Sequence, residues 1–240
     1  MDLQQLVKQI LLWDGSFPEH ALAQLVDNEE GAKAPLRALL QETLKNYQTL
    51  PEGYVGHVYA FYLLAYFRDA EGFLPALKVL TLPDAYPEKL LGHFLTQSFS
   101  QVIASCYGGN LEPLFAVIEE QNHLALHRIV ALVSLSILYN IKKVDRATVV
   151  GFFTKLLERP DTNEFLLGLA EEVADLHLAE LKNSVLSLYH EGKISSNDYT
   201  EQDFRAAIES GFSNPRKFFL IEDIFLEING SEYSGTTHES

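Results

Sequence analysis

The stretch "GFLPALKVL" (residues 72–80) is echoed by "NLEPLFAVI" (residues 110–118), with Pro75 and Pro113 separated by 38 positions. Both place a proline in the first turn of an apolar helix, where a missing amide donor costs little because first-turn donors have no intrahelical acceptor. Such an echo reads as a repeat. Working outward, "ATVVGFFTKLL" (147–157) and "LAELKNSVLSLY" (178–189) continue the series of first helices. Each pairs with a second helix: "YVGHVYAFYLLAYF" (54–67), "KLLGHFLTQSFSQVIASC" (89–106), "HLALHRIVALVSLSILYN" (123–140) and "NEFLLGLAEEVADLHL" (163–178). Gly92 and Gly168 lie 76 positions apart, twice the same interval. Small residues early in these second helices, Gly56, Gly92 and Gly168, suit close helix approach.

Apolar positions recur at helical spacing throughout, and Asn-Gly occurs only at Asn229-Gly230, so the chain reads as all-α. Start signals agree: Ser16 with Glu19, Asp161 with Glu164 and Thr200 with Asp203 have capping-box spacing. A unit of this length sits near the short edge of the roughly 40–47 residues of HEAT-type repeats. One helix pair cannot bury both its apolar faces, so the expected architecture is an α-solenoid of about four to five HEAT-like antiparallel helix pairs. The expected layout is one domain over 1–228, with capping helices in 1–30, repeats in 31–190, a C-terminal helical cap in 191–228 and a disordered polar tail in 229–240.

Composition limits the function. The 33 acidic against 18 basic residues give a net charge of −15, which repels nucleic acid and anionic membrane. One cysteine builds neither an internal disulfide nor a cysteine zinc site, and the start "MDLQQLVKQILLWDG" has no basic leader, so the cytoplasm is the expected location. The apolar stretches "HVYAFYLLAYF" and "IVALVSLSILY" are about half the length needed to span a bilayer and read as buried helices.

"HVYAFYLLAYFRDAEGFLPALKVLTLP", "LLGHFLTQSFSQVIAS", "GGNLEPLFAVIEE" and the terminal "DFRAAIESGF…FFLIEDIFLEI" resemble the bacterial family known as domain of unknown function 1186, over about residues 30–228. The resemblance implies a HEAT-like helical-repeat fold with no assigned activity. Some members of that family carry a cysteine-rich zinc tail; the tail "NGSEYSGTTHES" has no cysteine and does not match it.

Candidate chemistry is sparse. Cys106 precedes a glycine pair, but it stands at a helix C-terminus, where the dipole disfavours a thiolate. "GGN" lacks the strand and Gly-Lys-Ser/Thr of a phosphate loop and reads as cap chemistry, so Cys106 is expected to be a packing residue. His57, His93 and His127 recur at intervals of 36 and 34 and could form a ladder across stacked helices. His123 and His127 have the spacing of paired metal ligands, yet no third ligand accompanies them, and histidines hydrogen-bonded between repeats are the competing reading. Tyr59, Tyr62 and Tyr66 share a helical face that is either a recognition surface or core. Glu171, Glu172 and Asp175 form an acidic cluster with no partner across a cleft.

The candidate binding face is therefore His57, Tyr59, Tyr62, His93, Gln97 and His127, with no catalytic residue, metal site or cofactor implied. The expected function is a non-catalytic scaffold presenting a groove to a protein partner. The alternative is a HEAT-like protein of lyase or glycosylase type acting on a small ligand within that groove; the acidic charge weighs against the glycosylase version.

Overall fold

The computed structural model of the protein describes residues 2–83, 85–210 and 219–230, and these are helical, with one isolated antiparallel bridge between Leu12 and Tyr54. No helix among them is long and apolar enough to cross a membrane. Most of the expected tail, residues 231–240, lies outside the described residues. The chain forms two compact units. Unit 1 takes residues up to Gly108 and resumes at Leu220; unit 2 is Gly109–Phe219.

Unit 1 opens with α1 (Leu3–Gln9), α2 (Glu19–Asp27) and α3 (Glu29–Asn46). Asp2 caps α1 by accepting from the Gln4 amide at 3.3 Å. Neither Gly31 nor Pro35 interrupts α3, where Lys33 pairs with Glu29 and Glu30 across the first turns. The expected box at Ser16 does not form, because Ser16 Oγ donates to Asp14 at 2.7 Å and α2 starts beyond Pro18.

α4 (Gly56–Tyr66) is the central helix of unit 1, and every residue from Gly56 to Ala65 is buried. An all-round apolar helix needs partners on all sides. α3, α8 (Phe99–Ser105) and the C-terminal α15 (Ile224–Gly230) supply them, while α5 (Phe73–Leu80) packs on α3 and α8. The stretch 89–106, expected as one helix, is broken into α6 (Tyr86–Leu91), α7 (Phe94–Gln97) and α8. The first break is Gly92, at φ 52 and ψ −134, a conformation that only glycine adopts without strain; no atom lies within 4 Å of where its Cβ would be. Gly92 is thus a breaker rather than a packing residue. Gly168 does serve close approach, since a Cβ there would meet Ile129 at 2.8 Å.

Unit 2 comprises α9 (Glu112–Glu119), α10 (Ala125–Asn140), α11 (Arg146–Leu157), α12 (Asn163–Asp175), α13 (Lys182–His190) and α14 (Glu201–Ser210). α10 packs on α9 and α12, and α12 on α14. The box at Thr200 forms, with Thr200 N donating to Asp203 Oδ2 at 2.8 Å and Asp203 N to Thr200 Oγ1 at 3.3 Å. At α12 the cap is Thr162, because Asp161 is engaged elsewhere.

Three arginines clasp acids that lie about one repeat further along the chain. Arg37 on α3 holds Asp69 through two 2.6 Å bonds and reaches Glu71 at 2.6 Å. Arg146 on α11 holds Glu180 at 2.8 and 2.7 Å, the Tyr139 hydroxyl at 2.8 Å and the His177 carbonyl at 2.9 Å, and it keeps the Glu180 carboxyl down at about 2. These two clasps correspond in part at an offset of 109 residues: Arg37 with Arg146, Glu71 with Glu180, and the left-handed cap residues Arg68 (φ 54) with His177 (φ 50), whereas Asp69, which takes two of the Arg37 bonds, corresponds to Leu178. The cap bonds repeat at the same offset, Asp69 N to Leu64 O at 2.9 Å and Leu178 N to Val173 O at 3.0 Å, as does the single 3-10 turn that follows, Ala70–Gly72 and Ala179–Leu181. The third clasp is buried. Arg128 on α10 grips Asp161 with two 2.7 Å bonds, donates to the Ile118 carbonyl at 2.8 Å and lies 3.6 Å above the Phe165 ring.

Candidate functional site

Four of the six residues of the predicted face are buried. His57, Tyr59 and Tyr62 are on α4 and buried at 2%, 5% and 1% exposure; His127, on α10 in unit 2, is buried at 2%. The helical pattern put these side chains on one face, but α4 is enclosed on all sides, so no open groove runs along it. Tyr59 packs edge-on to Phe17 at 6.4 Å and Tyr62 lies 4.5 Å from the Phe94 ring. His93 and Gln97 are exposed, at the N-cap and the last residue of α7, a short helix set off from α6 by Gly92 and from α8 by Ser98. Within unit 1 the histidine ladder does not assemble, since His57 sits in a core helix and His93 in an exposed turn; His127 belongs to unit 2.

His57 has a structural task. Its Nε2 meets the Leu90 carbonyl at 2.6 Å, so that nitrogen carries the proton, and its ring stacks on Tyr54 at 5.5 Å. Burial holds its pKa down at about 4, with the Leu90 bond a smaller, opposing influence. Nδ1 is buried with no hydrogen-bond partner among the described residues.

Cys106 is fully buried beside Gly72, and burial pushes its thiol up to about 12. It packs, as its position at a helix end implied. Ellman's reagent is expected to find no reactive thiol in the native protein and one after denaturation; prompt labelling of the native chain would overturn this.

Unit 1 has an open cleft of about 670 Å³ between α1 and α3, with Leu50 and Tyr54 also in its lining. The volume falls within the range of small-molecule and peptide-anchor pockets. Val7 of α1 and Leu11, two residues past its end, with Ala38 and Leu39 of α3 form apolar walls, and Gln4, Lys8, Glu42 and Asn46 supply polar groups. Backbone bonds link residues 11–13 to 53–55: Trp13 N donates to Gly53 O at 2.8 Å and Val55 N to Leu11 O at 2.9 Å. Thr43 Oγ1 and the Tyr54 hydroxyl share a 2.9 Å bond, and burial raises the Tyr54 pKa, so neither is an activated nucleophile. Asn46 Nδ2 donates to Glu42, while Lys8 makes no ion pair among the described residues. No group of three or more His, Cys, Asp or Glu placed to hold a metal occurs among the described residues.

Sequence reasoning missed both the cleft and the clasps. A signal for the clasps was present, since Arg37, Arg128 and Arg146 each precede an acid by 32 to 34 residues, close to the repeat interval.

Among known proteins, the chain is similar to an uncharacterized protein of Chlamydia muridarum (strain MoPn / Nigg) and one of Chlamydia trachomatis serovar D, each 24% identical over 159 residues. The match covers 65% of this chain and 64% and 63% of theirs, so the chain spans less than two thirds of either relative. No solved structure matches. The family model described as "Protein of unknown function (DUF1186)" matches residues 1–230, from α1 through the last residue of α15, and the chain belongs to that family.

Proposed function

We propose that the protein is a non-catalytic, HEAT-like helical-repeat scaffold that binds a protein partner, with the α1–α3 cleft as its anchor point in unit 1. The observation that carries this reading is the clasp built twice at an offset of 109 residues, about three repeats of 36, with the same arginine, acid, left-handed cap and 3-10 turn. Stacked repeats create extended surface suited to holding another chain. The cleft adds apolar walls for a partner's side chain and the Lys8 ammonium, without an ion pair among the described residues, for its acid. A single buried thiol suits the reducing cytoplasm.

The test is affinity capture from the native cell with the wild type, Ala38→Arg, and His93→Ala/Gln97→Ala. Ala38 is exposed and lines the cleft, so arginine fills the space without entering the core. A stoichiometric partner held by the wild type and lost with Ala38→Arg, at unchanged circular dichroism, is the expected result. Identical partners with every variant would remove the cleft from the interface.

The cleft's volume also favours a second reading, binding of a small apolar ligand, in keeping with a lyase-type protein. Native mass spectrometry separates the two: a small-molecule adduct present on the wild type and absent from Ala38→Arg supports the ligand reading.

A further inference from the structure

The predicted face that includes Tyr59 is occupied, and its occupant is the chain itself. After unit 2 the chain re-enters unit 1 at Leu220. Ile221, Ile224 and Ile228 are buried at 0%, 1% and 6% exposure. Ile224 and Ile228 stand one turn apart on α15, which packs on α4, and Ile221 anchors the approach. Polar contacts fix the register: Ile221 N donates to Ser105 Oγ at 3.0 Å, and Ser98 Oγ donates to Glu227 Oε2 at 3.3 Å. Asp223 caps the helix by accepting from Phe225 N at 2.9 Å and Leu226 N at 3.1 Å. The Phe225 ring meets Phe17 at 6.3 Å, and Phe17 in turn meets Tyr59. This is a short amphipathic helix laid into an apolar groove, a common mode of peptide recognition.

We propose that the α4–α8 groove is a docking site for an acidic amphipathic helix of a protein partner, held shut in the isolated chain by residues 220–228. This deepens the scaffold reading but does not depend on the cleft. The seated segment defines the chemistry. It carries Glu222, Asp223 and Glu227 and no base, yet it is held by a strongly acidic protein, with Arg68 close enough to interact with Glu222. A partner helix therefore needs apolar residues matching Ile221, Ile224 and Ile228, a carboxylate for Ser98 and an acid toward Arg68.

The segment is also displaceable. Its polar contacts join positions 116 and 129 residues apart, and the burial of three isoleucines is small against the entropy of ordering nine residues. Elements so held open locally well before the domain unfolds.

The test uses the full chain, its Ile224→Asp/Ile228→Asp variant, and a fluorescent peptide with the sequence of residues 219–230. The built-in segment competes at an effective concentration of about 1 mM, so a peptide whose intrinsic Kd is about 10 μM is expected to bind the variant ~100-fold more tightly than the wild type. A peptide carrying Ile224→Asp should bind neither. Equal binding to both proteins, or none to a variant with native circular dichroism, would overturn the proposal.

Hydrogen exchange on the wild type is decisive even if the variant misfolds. Amides of α15 should exchange at least ~100-fold faster than those of α4; equal protection in the two helices means the segment is a fixed part of the core. A wild-type dimer that dissociates in the variant would assign the groove to a second copy and overturn the partner assignment.

Discussion

Arg128→Ala is expected to destabilise the protein by about 3–5 kcal/mol, the range for removing one partner of a buried ion pair. The side chains of Arg128 and Asp161 are only 1% and 3% exposed, so water cannot replace what the substitution removes. Four interactions are lost together: both bonds to Asp161, the bond that satisfies the Ile118 carbonyl near the C-terminus of α9, and the stack on Phe165. The Asp161 carboxylate would keep its bonds from Thr162 N at 2.8 Å and Gln121 Nε2 at 3.2 Å but lose its counter-charge. Burial alone would raise the Asp161 pKa; Arg128 is the main influence that keeps it low, so in the variant Asp161 should take up a proton well above its native value. Arg128→Lys should recover less than half of the loss, because an ammonium can neither form the paired bonds nor lie flat on the ring. Urea denaturation followed by circular dichroism measures both. A change below 1 kcal/mol for Arg128→Ala would show that the clasp does not hold unit 2 together.

The clasps also show what the sequence could and could not disclose. Helix order was readable because burial imposes a 3.6-residue period and because proline, glycine and capping residues mark the ends. The fully apolar "HVYAFYLLAYF" announced a buried helix, and α4 is one. Local pattern does not say which neighbours enclose a helix. Tyr59 and Tyr62 thus read equally well as surface or core, and only the packing of α3, α8 and α15 decides for core. Gly92 was ambiguous for a related reason: a glycine suits both close packing and a positive φ, and the sequence does not distinguish them. The docking of residues 220–228 was not readable at all, since their partners, Ser98 and Ser105, are more than a hundred positions away. The arginine clasps were readable in principle, as an opposite-charge pair recurring near the repeat interval.

The second large effect is a pH dependence of stability that originates at His57. In the unfolded chain a histidine has a pKa near 6.5, while in the native protein burial holds that of His57 at about 4. Between these values the unfolded state binds a proton that the native state does not, so stability rises with pH across the window and is lost on acidification. The stabilising contribution is complete above pH 6.5 and disappears as pH falls through 4. At 1.36 kcal/mol per unit, the span amounts to about 3 kcal/mol. Carboxylates held low by their partners, such as Glu180, add losses of the same sign, so the wild-type curve alone does not isolate the histidine. His57→Phe does, because it keeps an aromatic ring against Tyr54 and removes the titrating group. Denaturation midpoints followed by Trp13 fluorescence, which reports on unit 1, should fall more steeply for the wild type than for His57→Phe as pH falls from 7 to 4.5. Parallel curves over that range would mean that His57 is protonated in the native state, in conflict with its burial and its bond to Leu90.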